Sequence, residues 1–128
     1  MNERLKSIVD LDKYPIHDLN SPIIKNLIKR CKQELDENSC STIPDFILPK
    51  SLEIMNQELE KQLDEVYMSK ESINAYLYAK DDPSLPKHHP KRTFMNRYNG
   101  YLNSDCFPKN SEMKFLYETE ELLKFVSA

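Results

Sequence analysis

Residues 81–110 read DDPSLPKHHPKRTFMNRYNGYLNSDCFPKN, and how this stretch is read decides the fold. It carries Pro83, Pro86, Pro90 and Pro108, and Gly100 is the only glycine of the chain. His88 and His89 are adjacent, and Arg92 and Arg97 follow among the aromatics Phe94, Tyr98 and Tyr101. With so many breakers and no clean apolar period, the stretch reads as one long irregular segment. Helix-like and strand-like pieces precede it and a last helical run follows. Irregular segments of this length inside a small domain are uncommon, and are usually functional or disordered.

A single glycine in 128 residues restricts what can surround this segment. Tight hairpin turns, phosphate-cradling loops and nucleophile elbows use glycine for positive φ or close backbone approach. A Rossmann unit, a P-loop enzyme or a complete jelly roll is therefore improbable. The expected fold is α+β, mostly helical with a few short strands. Leu5, Ile8 and Val9 form a short amphipathic piece. Ser21-Pro22 then opens a helix over residues 22–37, with Ile23, Ile24, Leu27, Ile28, Cys31 and Leu35 at helical spacing. Residues 40–43 suit a short strand. Pro44 and Pro49 bracket an apolar plug, Phe46-Ile47-Leu48, and Pro49 starts a second helix running to about residue 67. Its stripe is Leu52, Met55, Leu59, Leu63 and Val66. Residues 73–79, INAYLYA, favour a strand, with helix still open. Ser111 caps a run with Met113, Leu116 and Tyr117, and Thr119 restarts it with Leu122, Leu123 and Val126.

The length fits one domain spanning 1–128. Hydrophobic residues make up 39% and charged residues 30%, with a formal net charge of −3. That mild acidity gives no reason to expect a general nucleic-acid or membrane partner. No apolar run approaches a membrane span, and the charged N-terminus lacks the apolar stretch of a signal peptide. Cys31, Cys40 and Cys106 show no pairing pattern and suit a reducing cytoplasm.

Chemistry-bearing residues are few. His88-His89 and His17-Asp18 are neighbours, but no His-x-Asp, His-x-Glu, His-x-x-x-His or Cys-x-x-Cys spacing occurs. Cys106 has no recognisable base beside it. The segment 87–109 sets Lys87, Lys91, Arg92, Arg97 and Lys109 against Asp105 alone. Its charges and interleaved aromatics fit three readings. They are a solvated loop, an arginine holding a carboxylate bidentately, or a stand-alone interaction module that binds RNA or an acidic partner. An acidic chain with one basic loop makes nucleic acid the weakest of these.

Four motifs occur in order: LDKYPIHDLNSP from Leu11, IPDFILPKSLEIMNQELE from Ile43, HHPKR from His88 and MKFLYETEELLKFVSA from Met113. Together they resemble the N-terminal region of Fe(II)/2-oxoglutarate-dependent oxygenases of the free-amino-acid halogenase and hydroxylase group. In that family the iron ligands and the 2-oxoglutarate-binding arginine follow the helix matched by the last motif. They have no counterparts here. The resemblance therefore implies a non-catalytic N-terminal portion, lacking the double-stranded β-helix core and binding neither Fe(II) nor 2-oxoglutarate alone. It also implies a truncated or split gene product that needs its catalytic barrel, in cis or as a second chain, for oxygenase activity. The helices would buttress that barrel and the basic loop would cover the active-site mouth. Arg97, then Arg92, would hold the carboxylate of the free amino acid substrate. Without the barrel, Leu122, Leu123 and Val126 are expected to form an exposed apolar patch.

Overall fold

The computed structural model describes residues 2–128. Among them the chain forms five α-helices and one two-stranded antiparallel sheet. This is an α+β fold without a double-stranded β-helix core. It divides into two compact units, one of residues 2–61 and 107–128, the other Gln62–Cys106.

The first unit is helical and is built round an apolar core. Helix α1 (Glu3–Ile8) is capped by the Asn2 side chain, which accepts from Leu5 N, and it buries Leu5 and Ile8 completely. The chain then runs extended. Val9 bridges to Ile47, Leu48 N donates to Ile8 O at 2.8 Å, and Asp10 N donates to Phe46 O at 3.1 Å. The apolar plug is thus stitched to the end of α1, and this pairing takes the place of the strand expected at residues 40–43. Turns follow, burying Leu11, Tyr14 and Ile16, with Tyr14 Oη donating to Pro44 O at 2.6 Å. Helix α2 (Pro22–Asn38) starts with proline in its first turn, and Ser39 ends it at φ 56°. Ile24 and Leu27 of its stripe are buried and Ile28 and Cys31 pack partly, but Ile23 and Leu35 remain half exposed.

Helix α3 (Pro49–Glu60) is shorter than the periodicity suggests. Leu59 and Leu63, which would extend its stripe, are exposed, and residues 63–65 tighten into a 3₁₀ turn. A helical period extends a helix only where it has a surface to pack on, and Leu59 at the end of α3 and Leu63, already in the second unit, are both exposed. Helix α4 (Glu112–Glu118) and helix α5 (Glu120–Ser127) are separated by Thr119, whose extended backbone breaks the run where the sequence suggests. Phe125 of α5 stacks on Phe46 at 6.5 Å, and Phe46 meets Tyr14 at 5.8 Å.

The second unit is an antiparallel ribbon. Strand β1 (Tyr67–Asn74) pairs with strand β2 (Phe94–Tyr101), with Tyr67 opposite Tyr101 and Asn74 opposite Phe94. Two expectations are corrected here. The strand expected at 73–79 lies earlier in the chain, and the 81–110 stretch is not irregular throughout, because it supplies β2. Both faces of the ribbon are largely exposed, so β2 needs no alternation of apolar and polar residues, and its period-2 signal is absent. Gly100 sits opposite Met68. A Cβ there would lie 2.8 Å from Val66 Cγ1 and 3.1 Å from Met68 Sδ, so the only glycine makes room for neighbouring side chains. The three cysteines are free, with Cys31 and Cys106 partly buried and Cys40 exposed. Among the described residues no helix is long and apolar enough to cross a membrane.

Candidate functional sites on the two units

In the ribbon unit, the connection from β1 to β2 is organised by Asn74, which is 2% exposed. Its Oδ1 accepts from Tyr76 N at 2.9 Å and Tyr78 N at 3.0 Å, while its Nδ2 donates to Lys91 O at 2.7 Å. One amide side chain thus serves both ends of the connection, as an Asx turn can. The price is backbone strain at Leu77, a 70% exposed residue held at φ 66°.

Arg92 is tied to Asp81. Its Nε and Nη2 each donate to one carboxylate oxygen at 2.9 Å, and Nη1 donates to Leu85 O at 3.1 Å. Hydrogen bonding from the guanidinium lowers the Asp81 pKa, and the same bond raises that of Arg92. The Nε–Nη2 edge of the guanidinium is therefore occupied by the chain's own carboxylate, consistent with the bidentate geometry that arginine favours. Arg97 lies on β2 opposite Glu71, and among the described residues it makes no salt bridge. In the amide orientation that satisfies its surroundings, Asn99 Oδ1 accepts from Arg97 Nη2 at 3.1 Å and from Tyr101 Oη at 3.2 Å. Of the two sequence candidates, Arg92 is paired with a carboxylate of the chain and Arg97, among the described residues, is not.

The histidines do not converge on a metal site. Among the described residues no group of three His, Cys, Asp or Glu side chains is placed to hold an ion. His89 Nδ1 accepts from Lys91 N at 3.1 Å, capping the 3₁₀ turn at Pro90–Arg92. The side chains among the described residues therefore offer no three-ligand cluster of the kind an Fe(II) centre uses. The aromatics of the basic stretch are also divided. Phe94 and Tyr98 point to one face of the ribbon and Tyr101 to the other, because side chains alternate along a strand. They do not form one stacking platform for successive bases.

In the helical unit, three shallow apolar grooves follow one another across the surface. One, of about 240 Å³, lies between Cys31, Leu35, Ile43, Phe125 and Val126. The next shares Ile43 and continues over Phe46, Ile47 and Leu52. The last, of about 500 Å³, shares Ile47 and Leu52 and runs to Met113, Tyr117 and Leu122. Leu35, Leu52, Tyr117 and Val126 along this band are each about half or more exposed. Of the expected exposed patch, Leu123 and Val126 are exposed but Leu122 packs partly on the core; Val126 and Leu122 line opposite ends of a band centred on the plug.

A polar network sets the position of α4 against α3. Glu58 accepts from Ser111 Oγ at 2.7 Å, Glu112 N at 2.9 Å and Met113 N at 3.4 Å, and Ser51 donates to Glu112. A carboxylate at a helix N-terminus satisfies unpaired N–H groups and suits the dipole. The capping role of Ser111 was legible, and its Oγ accepts from Lys114 N at 3.2 Å. Glu58 and Asn74 were not: in sequence one is an unremarkable helix glutamate, and the other an asparagine in a strand-like run.

Compared with protein-family models, curated proteins and solved structures, the chain matches none.

Proposed function

We propose that this chain is the N-terminal, non-catalytic portion of an Fe(II)/2-oxoglutarate-dependent oxygenase of the amino-acid hydroxylase or halogenase type. The order of the four sequence motifs supplies the family, and one structural observation supports the accessory role. This is the apolar band across the helical unit, running from Leu35 through the 43–48 plug to Tyr117. Contiguous exposed apolar surface of this kind marks a contact surface. In this reading the band packs on the catalytic barrel, in cis or as a second chain. Arg97 on β2 is the residue for the substrate carboxylate, while Arg92 shapes the connection that precedes that strand. The barrel supplies the groups that hold Fe(II) and 2-oxoglutarate.

Anaerobic calorimetric titration of Fe(II) and 2-oxoglutarate into the chain alone tests this division of labour. No saturable stoichiometric binding is expected. A tight one-to-one Fe(II) site would overturn the non-catalytic assignment.

A further inference from the structure

Asn99 and Gly100 form the single Asn-Gly pair of the chain. Space reserves the second position for glycine, since a Cβ there would lie 2.8 Å from Val66 Cγ1 and 3.1 Å from Met68 Sδ. Asn99 is therefore followed by a residue with no side chain of its own and with unusual freedom of backbone rotation. An asparagine carboxamide carbon can be reached by the backbone nitrogen of the next residue, and a Cβ on that residue is the chief obstacle. Asn20, Asn38, Asn103 and Asn110 precede serine, and so carry that obstacle.

The place of the pair in the ribbon favours the reaction. Asn99 is paired with Ser69 and Gly100 with Met68, next to the last pair of the ribbon, Tyr67 and Tyr101. Both tyrosines are half or more exposed, whereas the buried Ile73 and Asn74 hold the opposite end. Two-stranded ribbons are marginal on their own, and ends without buried contacts open first. Fraying from Tyr67 and Tyr101 thus frees the Gly100 nitrogen before the rest of the strand. Arg97, Asn99 and Tyr101 are alternate residues and share one face of β2. Asn99 Oδ1 accepts from Arg97 Nη2 at 3.1 Å and from Tyr101 Oη at 3.2 Å, so a charge at that oxygen meets a cation and a hydroxyl.

We propose that Asn99-Gly100 is a self-modifying site, at which Asn99 deamidates and the carboxylate produced captures Arg97. The lone pair of the Gly100 nitrogen attacks Asn99 Cγ. A C–N bond forms, the Cγ–Nδ2 bond breaks, and Nδ2 departs as ammonia with the proton from the Gly100 N–H. Water then opens the cyclic imide at either carbonyl, leaving aspartate or isoaspartate. One water enters and one ammonia leaves, with no oxidant or reductant. The aspartate form inherits the Arg97 and Tyr101 donors, now as a charge-assisted pair. The isoaspartate form adds a methylene to the main chain and shifts the pairing register at the ribbon's end. On the function proposed above, in which Arg97 takes a substrate carboxylate, deamidation blocks that guanidinium; the chemistry itself does not rest on that reading.

The test ages the intact chain at mildly alkaline pH and follows each asparagine by peptide mass spectrometry, with isoaspartate detected by enzymatic methylation. Position 99 is expected to convert roughly tenfold or more faster than any of the four Asn-Ser sites, with isoaspartate among its products. In an Asn99→Asp variant, the new carboxyl, titrated by NMR, should show a pKa below the ordinary carboxylate value, and adding Arg97→Gln should return it. Position 99 staying amidated or converting after the Asn-Ser sites, conversion without isoaspartate, or a titration at position 99 that ignores Arg97 would overturn the proposal. No iron, co-substrate or barrel takes part, so failure of this chemistry leaves the oxygenase reading standing, and the reverse.

Discussion

The helical unit and the ribbon unit hold their shapes by different means. In the first, Leu5, Ile8, Val9, Ile16 and Ile24 are essentially inaccessible and form one cluster with Leu11, Tyr14, Leu27, Met55, Leu116 and Phe125. In the second, Ile73 is the buried apolar side chain, and the fixed points are polar: Asn74 and the Arg92–Asp81 pair. Hydrophobic burial is non-directional and scales with area, so it tolerates a loose sequence pattern. Hydrogen-bonded frameworks depend on particular atoms, and a single substitution can remove them.

Substitutions should separate the two modes. The largest effect is expected from Ile8→Ala, which empties a fully buried site and should cost about 2–5 kcal/mol. Urea unfolding followed by far-UV circular dichroism should show the midpoint drop, and an unchanged midpoint would mean that the α1 contact is not structural. Asn74→Ala comes next, at about 1–3 kcal/mol, because it leaves Tyr76 N, Tyr78 N and Lys91 O without their partner. Amide exchange at Tyr76 and Tyr78 should accelerate in this variant; unaltered protection there would break the comparison. Glu58→Ala removes the cross-helix cap of α4 and should cost about 1 kcal/mol, as other cap losses do. Glu58→Gln, which keeps an acceptor oxygen, should lose less in the same assay.

The smallest effect concerns pH. The folded-state pKa of Asp81 lies below its ordinary 3.8 because Arg92 hydrogen-bonds it. A depressed carboxylate pKa contributes stability above the unfolded value, and that contribution is lost as pH falls through the folded one. Asp81→Asn should therefore be less stable than the parent near neutrality and show a smaller decline on acidification below pH 3.8. Parallel acid-unfolding curves for the two proteins would show that the pair contributes nothing. Its exposed setting makes a small effect the expectation.

What the sequence made legible follows the same divide. Helix α2 was readable because Pro22 marks its start and Ile24, Leu27, Ile28 and Cys31 repeat at its period. The break at Thr119 was readable from a polar, β-branched residue between two apolar stripes. Strand β2 was not, because Met95 and Tyr98 point to opposite faces and are both exposed, which erases the alternation. The end of α3 was misjudged for a related reason: Leu59 and Leu63 keep a helical period but are both exposed. Of the candidate site residues, the resemblance ranks Arg97 before Arg92, but the residue pattern does not show which guanidinium the chain ties up. Only the placement of Asp81 eleven residues before Arg92 commits one guanidinium and leaves the other. The apolar band was foreseen only at Leu122 and Val126 near its ends, since its middle is the 43–48 plug, whose partners come from α1 and α5.

Reconstitution tests the central claim most directly. The coding sequence beside this chain is read for a barrel with His-x-Asp or His-x-Gly ligand spacing, and the barrel is produced with and without the chain. The expected result is a complex that consumes 2-oxoglutarate in the presence of a free amino acid, and that is lost when Leu52 and Val126 in the apolar band are both changed to glutamate. A neighbouring sequence that encodes no such barrel, or a barrel that is fully active and does not bind this chain, would contradict the account.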